Sequence, residues 1–238
     1  EKNLANAREL FECYLNKVLT DNGEGWAQDT FENLVESTMI GLVKSAREQG
    51  DGLPYVYIKM NNIGNDKRFC SDKVTNVSAT SAEILKYSLQ DQDFLFNTRN
   101  SHELVGKSCL YKSIANDPVL FNNNIMRIRF SKKLLPEFVS YAFMSRYISD
   151  QLEAIKHGTT NVSAIYYKSL KEISISHPPL IVQKRIVSQL NENDSIRAEL
   201  ERLYIQKLSS LTILKQSLLQ KAFSGELTTD FIPESLEN

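Results

Sequence analysis

Gly106-Lys107-Ser108 is the fragment closest to known catalytic machinery, because a P-loop closes on Gly-Lys-Ser/Thr. A P-loop also needs a glycine five residues before that Gly-Lys, so that backbone N–H groups can wrap phosphates, and Ser101 holds that position. No G-x-G-x-x-G occurs, so no dinucleotide or methyl-donor loop is evident. His102, His157 and His177 are isolated and lack metal-ligand spacing. No Lys has Asp or Glu two residues before it, as a carboxylate–lysine nuclease site would. The only Pro-Pro, in His177-Pro178-Pro179-Leu180, lacks the Asn/Asp and aromatic flanks with which an amino-methyltransferase holds and stacks its target base. Cys13, Cys70 and Cys109 are odd in number and widely spaced, which argues against a disulfide framework or zinc site and for a reducing, cytoplasmic setting. These residues predict a chain that does no bond-making chemistry alone and holds neither metal nor cofactor.

What remains is binding. The net charge is −1 over 238 residues, but residues 97–133 hold seven basic groups (Arg99, Lys107, Lys112, Arg127, Arg129, Lys132, Lys133) against two acidic ones. A face that binds DNA needs such a local excess, since phosphate contacts supply much of the affinity. Chance clustering on a solvated surface is the competing reading. The hydrophobic and charged fractions, 42% and 24%, are those of an ordinary globular protein. No run approaches the roughly 18 apolar residues of a spanning helix, and EKNLANAREL contains no signal-peptide core, so no membrane association is expected.

Long helices must position this surface. From Ile181 to Phe223 there is neither Gly nor Pro, and Leu200, Tyr204, Leu208, Leu211, Leu214, Leu218 and Ala222 recur at helical spacing. Pro178 and Pro179 precede this helix and Gly225 follows it. A rod of roughly 60 Å cannot bury its stripe on one small domain and wants a partner helix. Asn3–Leu19 is also amphipathic and ends before Asp21-Asn22-Gly23. Leu10, Leu15 and Lys17 align with Leu214, Leu219 and Lys221 at one common offset, which suggests an internal repeat. Between the helices, residues 55–59, 93–96, 108–111 and 125–130 read as strands, Leu170–Ile175 as a short last strand, and Phe138–Gln151, with Pro136 in its first turn, as a helix. The expected fold is an α/β (α+β) domain followed by a long coiled-coil-type helix.

Four blocks then resemble, in order, the specificity subunits of type I restriction–modification systems. LPYVYIKMNNIG (53–64) is similar to the family's entry strand, and DQDFLFNTRNSHELVGKSCLYK (91–112) to its D-x-L-F-N block, from which Arg99 departs beside the usual Thr-Asn pair. GTTNVSAIYYKSLKEISISHPP (158–179) resembles its closing block, and residues 180–227, opening LIVQKRIV and closing KAFSGEL, its conserved helical spacer. Gly25-Trp26 resembles the start of a recognition domain.

The resemblance implies a non-catalytic, sequence-reading subunit: residues 1–20 as the end of a first spacer helix, 21–178 as a target-recognition domain with a mixed β-sheet, 179–223 as a second spacer helix and 224–238 as a tail. Such a domain reads one half of a bipartite site on double-stranded DNA. The spacer helices pair antiparallel, set the distance between reading heads and dock methyltransferase subunits, with restriction subunits completing the complex. S-adenosylmethionine belongs to the methyltransferase partner, which flips out the target adenine. A chain beginning in the tail of the first helix is expected to be half of a longer subunit, or a half-length version that pairs with itself through the long helix. Asn and Arg suit adenine and guanine edges, so the candidate DNA contacts are Asn61, Asn62, Asn97, Arg99, Asn100, Lys107, Thr159, Thr160 and Asn161. Lys67 and Arg68 are added from the less patterned stretch 67–86. For each, a turn-forming role competes, and Gly106-Lys107 and Gly158-Thr159-Thr160 read as scaffold or phosphate-positioning first. A coiled-coil scaffold that never touches DNA is the alternative for the whole chain.

Overall fold

The computed structural model describes residues 2–20, 23 and 25–224. In chain order these form α1 (Lys2–Thr20), β1 (Ala27–Thr30), α2 (Phe31–Leu34), β2 (Val35–Ile40), β3 (Tyr55–Ile58), β4 (Thr75–Val77), α3 (Ser81–Tyr87), β5 (Phe94–Asn97) and β6 (Arg99–Asn100). There follow β7 (Ser108–Leu110), β8 (Leu120–Phe121), β9 (Ile125–Phe130), α4 (Pro136–Met144), α5 (Arg146–Ala154), β10 (His157–Gly158), β11 (Ser163–Ala164), α6 (Tyr167–Leu170), β12 (Ser174–His177) and α7 (Leu180–Ser224). The mixed α+β domain followed by a long helix is the fold the residues predict. The stop signals at Asp21-Asn22 and Gly225, and the tail beyond, lie outside the described residues. No helix among those described is long and apolar enough to cross a membrane.

The chain divides into two compact units, one of residues 15–190 and one built from residues up to 14 and from 191 onward. The larger unit is organised on an antiparallel sheet ordered β2-β9-β5-β7. Strands β5 and β9 lie inside it, so FLFN and the first four residues of IMRIRF are buried throughout instead of alternating. On one side, Ile58, Leu95, Tyr111 and Phe121 pack into an apolar core. Phe94 meets Phe143 of α4 edge-on, with ring centroids 5.0 Å apart. A second sheet, β4-β3-β8, is mixed: β3 runs antiparallel to β4 and parallel to β8. A two-stranded ribbon pairs Ala27 with His177, 150 positions away, and closes the unit on itself.

The segment expected as one helix over 138–151 is two. Ser145 adopts an extended backbone and its hydroxyl caps α5 by accepting from Ile148 N–H at 3.4 Å; a serine that satisfies a helix N-terminus replaces the Gly or Pro that would have announced the break. Residues 170–175 are likewise corrected: α6 occupies Tyr167–Leu170 and the strand is displaced to Ser174–His177.

In the smaller unit α1 and α7 run antiparallel. Arg8 makes a two-pronged ion pair with Glu201 (3.1 and 3.3 Å), Arg197 lies over the Phe11 ring, and Leu4 lines a shallow cleft with Tyr204 and Leu208. Successive contacts thus climb one helix as they descend the other. Arg197 is also held by Asp194 and Glu201 of its own helix. Beyond Leu211 the apolar stripe of α7 stays open among the described residues, with Leu214, Leu218 and Leu219 about half exposed.

Candidate nucleic-acid interface

Arg99, Asn100, Thr159, Thr160 and Asn161 come together on one small sheet. Strand β11 pairs with β10 on one side and β6 on the other, placing Ser163 opposite Asn100 and Ala164 opposite Arg99. The β10–β11 turn is closed by Thr159 N–H donating to Val162 O (2.9 Å) and by the Ser163 hydroxyl donating to Thr159 O (2.7 Å). Gly158 enters this turn at φ +129°, where an added Cβ would sit 2.3 Å from Val162 O, so the turn requires glycine. Asn100 Oδ1 caps Ser101 N–H locally. The Thr160 and Asn161 side chains and the Arg99 guanidinium are exposed and have no side-chain partner among the described residues.

The other sequence-predicted residues make hydrogen bonds or ion pairs within the domain. Asn62 is buried; its Oδ1 accepts from Lys59 N–H (2.8 Å) and its Nδ2 donates to Cys70 O and Lys73 O (2.9 and 3.0 Å). Asn61 is exposed and donates to Lys73 O at 3.3 Å. Asn97 is fully buried at the end of β5, its main chain tied to Gly106 N–H and Lys107 O. The Lys107 ammonium donates to Ile63 O (2.7 Å) and Asn65 Oδ1 (3.2 Å), and burial pushes it below the ordinary lysine range. Lys67, at φ +59°, donates to the Phe143 carbonyl, and Arg68 lies 4.0 Å from Asp66.

The basic excess over 97–133 is also partly internal. Arg129 grips Asp93 in a bidentate pair (2.6 and 3.0 Å), and Asp93 is only 3% exposed. Arg127 donates to Ser88 O (3.1 Å) and lies over the Phe121 ring; its burial lowers its pKa. With Lys107, three of the seven cations therefore have partners within the domain. Burial pushes the Cys109 thiol up to about 12, which disfavours the reactive thiolate. Among the described residues no three His, Cys, Asp or Glu side chains gather as metal ligands.

Beside Arg99 lies a half-open groove of about 450 Å³, walled by the end of β2, the β8–β9 turn and the β11–α6 segment. Its rim carries Val43 and Tyr166, 70% and 54% exposed, and the Tyr166 ring stands 6.0 Å from that of His157. Gly41 lets the chain pass the turn, for a Cβ there would meet Asn122 O at 2.2 Å. Asn123 and Asn124 also line the groove. Neither is among the residues the sequence singles out.

The family model described as "Type I restriction modification DNA specificity domain" matches residues 24–210. The chain is 29% identical over 210 residues to the type I restriction enzyme EcoKI specificity subunit of Escherichia coli (strain K12), covering 86% of this chain and 44% of that protein. It is 26% identical over 213 residues to the StySPI specificity subunit of Salmonella potsdam, covering 89% and 45%. Both alignments leave more than half of the longer relative unmatched. In fold the chain matches a solved chain from a study of complex assembly and conformational transition of the type I R-M system, with TM-score 0.72, 21% identity and 93% and 53% of the two chains covered. It also matches the HsdS subunit from Thermoanaerobacter tengcongensis, with TM-score 0.64, 20% identity and 94% and 52% covered.

Proposed function

The chain belongs to the type I restriction modification DNA specificity domain family, and from that premise we propose that it reads one half of a bipartite duplex site for a type I restriction–modification system. The observation that carries this reading is the edge of the β6–β11–β10 sheet, where an exposed Arg99, without a side-chain partner among the described residues, lies on the sheet that carries the Thr160-Asn161 turn and lines an aromatic-rimmed groove. Base-edge recognition needs such freely presented donors and acceptors on a rigid support. The chain itself supplies no nucleophile or proton shuttle in this proposal. A methyltransferase subunit performs the transfer and holds S-adenosylmethionine, and a restriction subunit completes the complex.

The helices serve as spacer and dock. A continuous helix of 45 residues measures about 67 Å, a length that scales with residue count and suits a ruler. The open stripe of Leu214, Leu218 and Leu219 offers a seam for a second helix, either that of another copy or that of the other half of a longer subunit. The coiled-coil scaffold reading leaves the presented Arg99 surface without a use and is not favoured by the family assignment. Mixing the purified chain with random duplex at increasing salt tests the proposal. Binding at low salt whose logarithm falls linearly with log[salt] is expected. No binding at any salt concentration, with or without a co-expressed methyltransferase subunit, overturns it.

A further inference from the structure

The groove beside Arg99 has polar groups that the fold does not use. Asn122, first of the three consecutive asparagines, is fully engaged: its Nδ2 donates to the Tyr57 hydroxyl (3.2 Å) and its Oδ1 accepts from Asn124 N–H (2.9 Å). The carboxamides of Asn123 and Asn124 have no hydrogen-bond partner among the described residues, although their backbones are fixed: Asn123 N–H donates to Leu42 O (3.1 Å), and Asn124 O accepts from both the N–H and the hydroxyl of Thr98 (2.8 and 3.0 Å). One turn residue therefore builds the support and two present free donor–acceptor pairs on it. Arg99 lies on the neighbouring strand, held in register by Ala164. The surrounding surface is mainly apolar, with Val43 and Tyr166 on the rim and Ile40 and Met126 in the wall.

Resting on the DNA-reading proposal, we infer that this groove is the base-reading subsite of the domain, with Arg99, Asn123 and Asn124 as its specificity-determining residues. Arg presents a fork matched to guanine O6 and N7, and Asn one matched to adenine N6 and N7. Apolar rim residues suit the thymine methyl, which carries no hydrogen bond. Arg and Asn also contact phosphates, but a phosphate contact carries no sequence information, so loss of preference at defined base positions is what separates the two roles. Asn62, Asn97 and Lys107 take no part, since their polar groups already have internal partners.

The test is selection of bound sequences from randomised duplex by the full chain, alone and with its methyltransferase subunit, comparing wild type with Arg99→Ala, Asn123→Ala and Asn124→Ala. All three side chains lack partners among the described residues, and unchanged thermal unfolding confirms that each variant is folded. Each variant is expected to lose preference at one or two positions of the selected sequence by roughly five- to hundredfold, with the salt dependence of binding nearly unchanged. If the wild type selects a sequence and all three variants select it equally well, the groove assignment is wrong while DNA reading stands. A wild type that binds but enriches no sequence overturns both.

Discussion

The side-chain oxygen of Gln183, in the first turn of α7, accepts a hydrogen bond from the backbone N–H of Leu135 at 2.9 Å. Its amide nitrogen donates to Lys133 O and Pro178 O, both at 2.8 Å. Gln183 is completely buried, so one carboxamide satisfies three backbone groups and fastens the start of the long helix to the segment that leads into α4. The glutamine of the Q-K-R-I-V spacer motif is thus explained by structure alone.

Removing it should show as instability. Gln183→Leu keeps the volume but leaves one N–H and two carbonyls, at least partly buried, without this partner. The expected loss is about 2–4 kcal/mol, since each unsatisfied group costs roughly 1–3 and the site can relax. Urea denaturation checks this; a loss under about 1 kcal/mol would mean that water reaches the site.

Asp93 and Arg129 form a bidentate ion pair, with Asp93 also accepting from Gln90 N–H at 2.8 Å. Asp93→Ala strands a part-buried guanidinium and should cost about 2–4 kcal/mol. Arg129→Ala should destabilise the fold without altering the salt dependence of DNA binding, because this cation faces Asp93. A reduced salt slope in the folded variant would place Arg129 on the interface instead.

Lys107 and Arg99 should separate cleanly. Lys107→Met is expected to lower stability by about 1–2 kcal/mol, through loss of its bonds to Ile63 O and Asn65, and to leave DNA affinity of the folded protein unchanged. Arg99→Ala is expected to do the reverse. Parallel unfolding and DNA-titration measurements on both variants decide between these roles.

Much of this fold was legible in the sequence because it rests on local rules. The uninterrupted run from 181 to 223 with apolar residues three and four apart could only be a long helix, and the β-rich segments at 55, 94, 108 and 125 lie within a residue or two of their strands. What was not legible depends on distant partners. Strand β1 is four residues long and owes its existence to β12, 150 positions on. Arg127 and Arg129 read as surface charge because Asp93, more than thirty residues upstream, is what draws Arg129 inward. In the candidate site, Arg99 was visible as a residue type, but nothing local distinguishes it from Lys107. Only the tertiary bonds show that the ammonium is engaged and that the guanidinium has no side-chain partner among the described residues. The same holds for Asn122, Asn123 and Asn124, three identical residues with two different fates.

Acid should destabilise the larger unit through Glu48 and Glu83, the two carboxylates that hold Lys44. Its ammonium, 4% exposed, sits between Glu83 (2.9 Å) and Glu48 (3.2 Å). The Ser45 hydroxyl and backbone N–H, with Lys44, take Glu48 from 4.5 to about 2, and Thr80 N–H and Lys44 lower Glu83. Depressed carboxyl pKa values contribute stability that is fully present above the ordinary carboxylate pKa and lost as pH falls through the folded value. Thermal midpoints should therefore drop between about pH 4.5 and 2, and Glu48→Gln should flatten part of that drop. A wild-type midpoint that is level across this window contradicts the assignment.

The central claim, that this chain aims at a nucleotide sequence, is tested most directly by competition. The purified chain bound to a labelled duplex carrying its selected sequence is challenged with the same duplex unlabelled or with a scrambled one, across a range of salt concentrations. The account predicts that the scrambled duplex competes at least tenfold less well at physiological salt, and that the gap persists as salt rises, because base contacts release no counterions. Equal competition by both duplexes at every salt concentration would contradict it.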